Sequence, residues 1–418
     1  MKAKSRSDER WHLPAFTLFV SGLFTILILS YLGQSTTNFL FNQSVTMTPQ
    51  PLLPTRTASA AAVVETRQAA SATATPEALK RVEPSPTPMS TVVPLPTSTA
   101  VPEPLVLGPG FIPDLERFGT TGGIPEAMAA YHAGLRFSHL LNWHVMYEAA
   151  TEDVTFWQMI RVNEQGIRDT NWEGIERTIE KYPGSNWFVG NEPDVKWQDN
   201  VTPERYAEIY HEVYSFIKTR DPGAKLVIGG VAQPTPLRRD YLDIVLDTYQ
   251  ERYETPMPID IWNVHAFTLR EELDSWGVDI PPGMEERAGS LYEIEDHKDV
   301  SLLRQNLIEF RAWMDERGYG DKPLVISEVG ILMPEDYGFD VNVTGQFMTD
   351  TFDMFLTEAN ETGYEPDGNR LIQWWFWFVV YDDGPFQTGI LFDYPSNQLT
   401  PLGEIWVDYL ENLEAGAG

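Results

Sequence analysis

Two glutamates directly follow short apolar runs, and together they could perform acid–base and nucleophilic chemistry. Glu192 ends the run 187–192, and Glu328 ends the run 323–328. Two carboxyl groups that face one another can divide the work of cleaving a glycosidic bond, because a protonated one assists the leaving oxygen while an ionised one attacks carbon. Burial and neighbouring negative charge raise the pKa of one member, so identical side chains can hold different protonation states. We therefore treat Glu192 and Glu328 as a candidate catalytic pair.

The pair can act only if the fold brings two distant glutamates together. From residue 106 onward, apolar strand-like runs alternate with amphipathic helical patterns, which favours a parallel sheet covered by helices. The predicted strands are 117–119, 135–143, 156–163, 187–190, 225–230, 260–265, 323–328 and 371–379. Eight such units fit the size of a (β/α)8 TIM barrel, whose active site lies at the carboxyl ends of the strands. A doubly wound open sheet is the alternative, but its glycine-rich phosphate turn is matched only loosely by 119–123.

The two sites carry a family resemblance. The segment 187–194, Trp-Phe-Val-Gly-Asn-Glu-Pro-Asp, with a second Glu ending the seventh strand, resembles glycoside hydrolase clan A. Members of that clan are retaining glycosidases with catalytic carboxylates on strands four and seven of a TIM barrel. The resemblance covers about 110–412 and implies that Glu192 is the acid/base and Glu328 the nucleophile.

The resemblance also implies contacts to a carbohydrate substrate. Asn191 would hold the sugar 2-hydroxyl, His265 would line the pocket, and Trp375 on strand eight would form its floor. Further substrate-binding candidates at the ends of strands two, three and eight are Asn142, Asn163 and Trp377.

Two positions differ from the clan pattern. Many members carry a Tyr after strand six that hydrogen-bonds the nucleophile, whereas this chain has His-Ala-Phe at 265–267. The Arg often found near the end of strand two is replaced by Asn-Trp-His at 142–144. The group that positions Glu328 is therefore left open by the sequence.

Glu164 belongs to a second Asn-Glu pair and competes with Glu192. If Glu164 ended strand four, three β/α units would have to fit between about 106 and 155, which is too short for units of about 30 residues each. The strand count therefore favours Glu192, and it places Asn163 at the end of strand three.

Composition limits the partners and cofactors. The chain has 418 residues, no Cys and a net charge of −31, of which −33 falls on residues 106–418 and +2 on residues 1–105. A surface this acidic repels phosphate backbones, so we expect no nucleic-acid partner. We also expect no cofactor and no metal, because Asp382 and Asp383 alone do not form the oxygen cage that calcium requires and no zinc-ligand spacing occurs.

The chain divides into three predicted regions. Residues 1–33 combine a basic amino end with an uncharged run from Trp11 to Leu32, which predicts a transmembrane signal-anchor, with cleavage and secretion as the alternative. Residues 34–105 are rich in Pro, Ser, Thr and Ala and predict a disordered linker. Residues 106–418 form the catalytic barrel, which this arrangement places outside the cytoplasm.

Two other functions compete with a glycosidase. One is a non-catalytic carbohydrate-binding protein on the same barrel, and the other is a barrel enzyme of another class, such as a lyase or a metal-dependent hydrolase. The sequence leaves open the sugar and linkage cut, endo against exo action, and the oligomeric state.

Overall fold

The computed structural model describes residues 110–123, 127–146 and 154–416. The predicted signal-anchor, 1–33, and linker, 34–105, lie outside these described residues. Among the helices of the described ranges, none is long and apolar enough to cross a bilayer.

Eight parallel strands form the central sheet. They are β1 (Phe118–Thr121), β2 (His139–Leu141), β3 (Thr155–Ile160), β4 (Asn186–Asn191), β5 (Lys225–Gly230), β6 (Trp262–Val264), β7 (Leu324–Val329) and β8 (Trp374–Trp377). Hydrogen-bonded pairing runs β5-β4-β3-β2-β1-β8-β7-β6. The two outer strands then meet, since the Ile228 N–H donates to the Ile261 carbonyl (3.3 Å) and Val231 bridges to Val264. The sheet is therefore a closed eight-stranded barrel, as the sequence predicted.

Seven helices surround the barrel in the described part of the chain. They are α1 (Met128–Leu135), α2 (Trp172–Lys181), α3 (Pro203–Arg220), α4 (Pro236–Tyr253), α5 (Val300–Glu316), α6 (Val341–Thr357) and α7 (Pro401–Gly416). Their starts follow local chemistry: Asn171 caps α2 by accepting from the Gly174 N–H (2.8 Å), and Asp340 caps α6 in the same way. The connection from β2 to β3 includes residues 147–153, which lie outside the described ranges.

The barrel interior is filled with side chains. Its apolar plug consists of Leu141, Trp157, Met159, Phe188, Val227, Ile261, Val325 and Phe376. Alternate residues of the same strands point outward and pack under the helices, as the two-residue period of a strand requires. Because the interior is closed, substrate chemistry is confined to the rim at the carboxyl ends of the strands.

Candidate active site

Glu192, His265 and Glu328 converge at the carboxyl rim. Nδ1 of His265 lies 3.1 Å from Oε1 of Glu192 and 3.7 Å from Oε2 of Glu328. These two carboxylate oxygens are therefore separated by no more than the sum of those distances, about 6.8 Å. The fold thus brings together the two glutamates that the sequence singled out, with the predicted pocket residue His265 between them.

The end of β4 is held from both sides. The Asn191 N–H donates to Oδ2 of Asp199 (2.8 Å), whose Oδ1 accepts from Nε of Arg161 (2.6 Å) just past β3. The Glu192 N–H donates to the carbonyl of Gly230 on β5 (2.9 Å). Glu192 has a φ of 46°, a left-handed conformation uncommon for a residue with a Cβ. Such strain persists where the surroundings fix it, and here those bonds aim the side chain into the rim.

Trp143 supplies the group that the sequence left open. Its indole Nε1 donates to Oε1 of Glu328 at 2.7 Å. Its ring packs against Phe378, with centroids 5.8 Å apart, so the two aromatics border the glutamates. Trp143 directly follows Asn142 after β2, at the place where the clan pattern suggested an Arg. Sequence reasoning missed this contact, although Trp143 stood in the segment already noted as unusual.

His265 depends on the absence of a side chain at Gly230. A Cβ at Gly230 would lie 2.7 Å from Cδ2 of the imidazole and 2.8 Å from Nδ2 of Asn263, closer than such atoms approach. The His265 N–H donates to the Val231 carbonyl (2.9 Å), which fixes the backbone while the glycine leaves room for the ring. Gly230 is thus a second site residue that the sequence did not reveal.

The three groups influence one another electrostatically. Burial raises the pKa of Glu328, and nearby Glu192 raises it further, whereas a charged His265 and the Trp143 N–H oppose the rise. Burial alone would lower the pKa of His265, but Glu328 and the hydrogen bond with Glu192 outweigh it, so the net shift is upward. The proximity of the two carboxyl groups to the imidazole therefore accompanies a raised pKa of both Glu328 and His265.

A buried ionic network continues from the segment that carries Glu192. Arg238 on α4 donates to Oδ2 of Asp194 (2.6 Å) and to Oε1 of Glu271 (3.0 Å), and all three side chains are fully buried. Arg238 also donates to the carbonyls of Val278 (3.2 Å) and Asp279 (2.7 Å) in the long loop after β6. Burial raises the pKa of Asp194 to about 6, with Arg238 opposing and Glu192 adding to the rise. The network ties the loop 267–299 to the segment that carries Glu192.

The remaining polar candidates differ in their surroundings. Asn191 is only 2% exposed, and its Oδ1 has no hydrogen-bond partner among the described residues. Asn142 is buried beside Trp143 at the rim. Asn163 lies in a small hairpin, Val162–Asn163 against Gly166–Ile167, where its Oδ1 accepts from the Gln165 N–H (2.9 Å). The structure therefore gives Asn163 a role in shaping this turn and shows no contact from it to the glutamates.

The sequence predicted that Trp375 and Trp377 face the substrate pocket, but both side chains point to the opposite face of β8. Trp375 is fully buried and packs on Phe118 (4.6 Å between centroids) and Phe355 (5.3 Å), on the helix side of β8. Trp377 points the same way, and its Nε1 donates to the Gly389 carbonyl (2.8 Å). Both rings belong to the core between sheet and helices, so Trp143 and Phe378 replace them as the aromatic surface beside the glutamates.

Glu164, the competing candidate, serves a different element. Its Oε1 accepts from the Thr202 N–H (2.5 Å) and its carbonyl accepts from Nε of Arg205 (3.1 Å), at the start of α3. No contact joins Glu164 to Glu328 among the described residues. Within the same ranges, no group of three or more His, Asp or Glu side chains is placed to hold a metal ion.

Comparisons with known proteins give neighbours in structure only. No family model and no curated protein matches the sequence. Similar solved structures include a GH128 (subgroup III) curdlan-specific exo-β-1,3-glucanase from Blastomyces gilchristii, at 17% identity over 71% of this chain and 99% of that chain, with a TM-score of 0.49. A GH128 (subgroup II) endo-β-1,3-glucanase from Sorangium cellulosum matches at 17% identity over 70% and 98%, with a TM-score of 0.46. A GH128 (subgroup I) endo-β-1,3-glucanase from Amycolatopsis mediterranei, bound to laminaritriose, matches at 13% identity over 70% and 99%, with a TM-score of 0.48. The fold of this chain rests on its own strand pairing, and its chemistry on the geometry of the rim.

Proposed function

We propose that this protein is a retaining glycoside hydrolase acting on a poly- or oligosaccharide. One observation carries the proposal: Glu192 and Glu328 share a single neighbour, Nδ1 of His265, at the carboxyl rim of a closed barrel. Most glycoside hydrolases use such a pair of carboxyl groups, one on each side of the scissile bond.

The proposed reaction has two displacements. In the first, a carboxylate oxygen of Glu328 bonds to the anomeric carbon, the bond to the leaving oxygen breaks, and that oxygen takes the proton of Glu192. In the second, Glu192 removes a proton from water, the water oxygen bonds to the anomeric carbon, and the ester electron pair returns to Glu328. Each displacement inverts the anomeric centre, so the overall configuration is retained.

The spacing of the carboxyl groups is compatible with retention. Retaining enzymes hold their carboxyl groups about 5–5.5 Å apart, whereas inverting enzymes need about 6.5–9.5 Å to admit a water molecule. The upper bound of about 6.8 Å on the oxygens nearest His265 lies below most of the inverting range.

Variants of the two glutamates test the assignment. Glu328→Ala is expected to abolish turnover, and Glu192→Ala to slow it by about 10²–10⁴-fold, the usual contribution of a general acid–base. Glu164→Gln is the matched control, since it also changes a glutamate of an Asn-Glu pair, and its activity should stay within about twofold of the wild type. Either catalytic variant behaving like the control would overturn the assignment.

Azide distinguishes the roles of the two glutamates. Azide needs no proton removed, so it should rescue Glu192→Ala and give a glycosyl azide of retained configuration. In Glu328→Ala, azide can take the place of the missing carboxylate and should give a glycosyl azide of inverted configuration by a single displacement. A retained azide from Glu328→Ala and an inverted one from Glu192→Ala would exchange the two roles. Product configuration is read by proton NMR during the first turnovers.

A substrate panel separates the proposal from its rivals. The panel spans β-1,3-glucans such as laminarin and curdlan, β-1,4-glucans, xylans, mannans and aryl glycosides. Binding without hydrolysis across it would favour a non-catalytic carbohydrate-binding protein. Turnover that a chelator abolishes would favour a metal-dependent barrel enzyme. The Trp143 hydrogen bond to Glu328 argues against a non-catalytic barrel, because it provides the donor that the missing Tyr would have provided.

We further propose that residues 1–33 anchor the protein in a membrane with the barrel outside the cytoplasm. The support is the sequence alone: Lys2, Lys4, Arg6 and Arg10 precede the uncharged run from Trp11 to Leu32. Expression in a bacterial host, followed by alkaline extraction of membranes and amino-terminal sequencing, tests it. Release of a shortened chain into the medium would favour the cleaved alternative.

A further inference from the structure

We propose that Trp143 is a positioning residue for Glu328, whose indole N–H fixes one carboxylate oxygen and favours the ionised form of that side chain. The inference deepens the proposed function and rests on it for its kinetic consequences. The contact itself is a property of the fold and can be tested without any substrate.

The geometry fits a charge-assisted hydrogen bond. The distance from Nε1 of Trp143 to Oε1 of Glu328 is 2.7 Å, within the short range typical of bonds to ionised acceptors. An indole N–H can donate but has no lone pair to accept, so it cannot satisfy the hydroxyl of a protonated carboxyl group. The bond therefore favours the carboxylate over the carboxylic acid.

The Trp143 ring is held in place from two neighbouring strands. Its backbone φ is 42°, in the left-handed region where a bulky side chain is an outlier. Gly122, after β1, lies beside the ring, since a Cβ there would be in van der Waals contact at 3.4 Å from Cζ3 of Trp143. Phe378, after β8, packs against the other side. Strained backbone next to packed aromatics is the pattern expected where function fixes a side chain.

Other charged groups also face Glu328, and the test must separate them from Trp143. His265 approaches from the end of β6 and Glu192 from the end of β4, and Arg161, past the end of β3, contributes at longer range. A substitution that removes only the indole N–H leaves these three groups in place. Trp143→Phe comes near that requirement: it removes the N–H together with the five-membered ring and keeps an aromatic ring against Phe378.

The chemical consequences of the bond differ between the two displacements. During the first, Glu328 loses its negative charge as it bonds to the anomeric carbon, so the indole bond weakens. During the second, the carbon–oxygen ester bond breaks and its electron pair returns to Glu328, so the bond strengthens and assists departure. Loss of the N–H should therefore slow release of the glycosyl group more than its attachment.

The direct test follows the ionisation of Glu328 in the full chain by NMR. Carboxyl-labelled glutamate is incorporated, and the Glu328 resonance is assigned by its absence in Glu328→Gln. In Trp143→Phe the titration midpoint should rise by roughly one pH unit, the effect of losing one hydrogen bond to a charged group. Trp313→Phe is the matched control, because Nε1 of Trp313 donates to Oδ1 of Asp243 (2.9 Å) on the helical layer, away from the rim. It should leave the Glu328 midpoint unchanged.

Rescue and wild-type measurements guard against a purely structural effect. In Trp143→His, Nε2 of the imidazole occupies the place of the indole nitrogen, so the midpoint should return toward the wild-type value. In the wild type, the indole nitrogen resonance of Trp143 should itself titrate with the midpoint of Glu328. A Trp143 resonance that is insensitive to pH, or an unchanged Glu328 midpoint in a folded Trp143→Phe, would overturn the proposal.

Kinetics then separate this proposal from the proposed function. In Trp143→Phe the acidic limb of kcat/KM should move up by the same interval as the NMR midpoint, and intact-protein mass spectra at steady state should show more glycosyl-enzyme. If the midpoint shifts but no sugar is hydrolysed by the wild type, the hydrolase assignment fails and the Trp143 contact stands. If the wild type hydrolyses sugar but neither the acidic limb of kcat/KM nor the Glu328 midpoint moves in Trp143→Phe, the Trp143 proposal alone fails.

Discussion

Replacement of Arg238 by Met should destabilise the barrel far more than the same replacement one residue later. Arg238 is fully buried, and its guanidinium compensates the buried carboxylates of Asp194 and Glu271 while donating to the loop after β6. Met fills much of the same volume but leaves both carboxylates without their cation. The expected cost comes mainly from those two stranded charges rather than from lost packing.

The magnitude follows from the burial of the partners. Breaking a buried ion pair by removing one partner costs about 3–5 kcal/mol. Arg239 occupies the next position of α4, but its side chain and that of Glu309 are 16% and 40% exposed. Because Glu309 keeps contact with water, this pair should contribute only about 0–1 kcal/mol. Arg238→Met should therefore lose at least about 2 kcal/mol more unfolding free energy than Arg239→Met.

Urea unfolding followed by tryptophan fluorescence measures the difference, and pH sharpens it. The pKa of Asp194 is raised to about 6 in the folded wild type, and removal of Arg238 should raise it further. Below pH 6 Asp194 is protonated in both proteins, so the missing cation costs less. Above pH 6 the Asp194 carboxylate is compensated by Arg238 in the wild type, whereas the variant has no cation to compensate it. The loss should thus grow as the pH rises from 5 to 7.5. Equal losses in the two variants, or a loss that shrinks as the pH rises, would refute the reasoning.

Two further predictions address the rim and the loops beside it. Gly230→Ala should lower kcat/KM at least about tenfold by displacing His265, because His265 contacts both glutamates and small displacements at a reacting centre are costly. Gly416→Ala, with no atom within 4 Å of the new Cβ, should leave turnover unchanged. His297 links the loops after β6 and β7, through Nδ1 to the Thr268 carbonyl (3.0 Å) and Nε2 to the Leu332 N–H (2.9 Å), and burial lowers its pKa to about 4. In the unfolded chain His297 binds a proton near pH 6.5, so the free energy of unfolding is highest above that pH and falls by up to about 3 kcal/mol toward pH 4. His297→Asn should therefore flatten this part of the stability profile measured by urea unfolding. An unaltered slope would contradict the assignment.

The barrel was predictable because its signals are local and repeated. Each buried strand is an apolar run and each helix has its own periodicity, so the order of elements could be read without knowing any long-range contact. The position of Glu192 at the end of the fourth strand followed from counting those units. Strand ends were less well predicted: β3 ends at Ile160, and the predicted extension to Asn163 instead turns into a hairpin through Gly166, whose φ of 122° suits glycine.

The error at β8 has a simple physical origin. The run Trp374 to Phe378 is aromatic at every position, so its hydrophobic pattern does not reveal which alternate residues face the barrel axis. A shift of one residue exchanges the inner and outer faces. In the structure Trp374 and Phe376 pack with the interior plug, and Trp375 and Trp377 pack under the helices. Which residues face the barrel axis depends on how β8 pairs with β1 and β7, and the local sequence does not indicate it.

The side chains that surround the glutamates and their segments could not be predicted from the sequence, for a different reason. Trp143, Gly230 and Arg238 act through partners distant in sequence, and each has an ordinary structural reading when seen alone. The proposed reaction requires particular hydrogen-bonding groups beside each carboxyl group, but it does not require that a particular strand supply them. Glu328 must be available as a carboxylate, and an indole from the end of β2 can meet that requirement as well as a phenol after β6 could. The nearest hydrogen-bond partner of the Glu192 carboxyl group is instead Nδ1 of His265, at 3.1 Å, a ring nitrogen that can donate or accept a hydrogen bond. A donor-only partner for Glu328 and an imidazole partner for Glu192 therefore give two chemically identical side chains the unequal environments that the proposed double displacement needs.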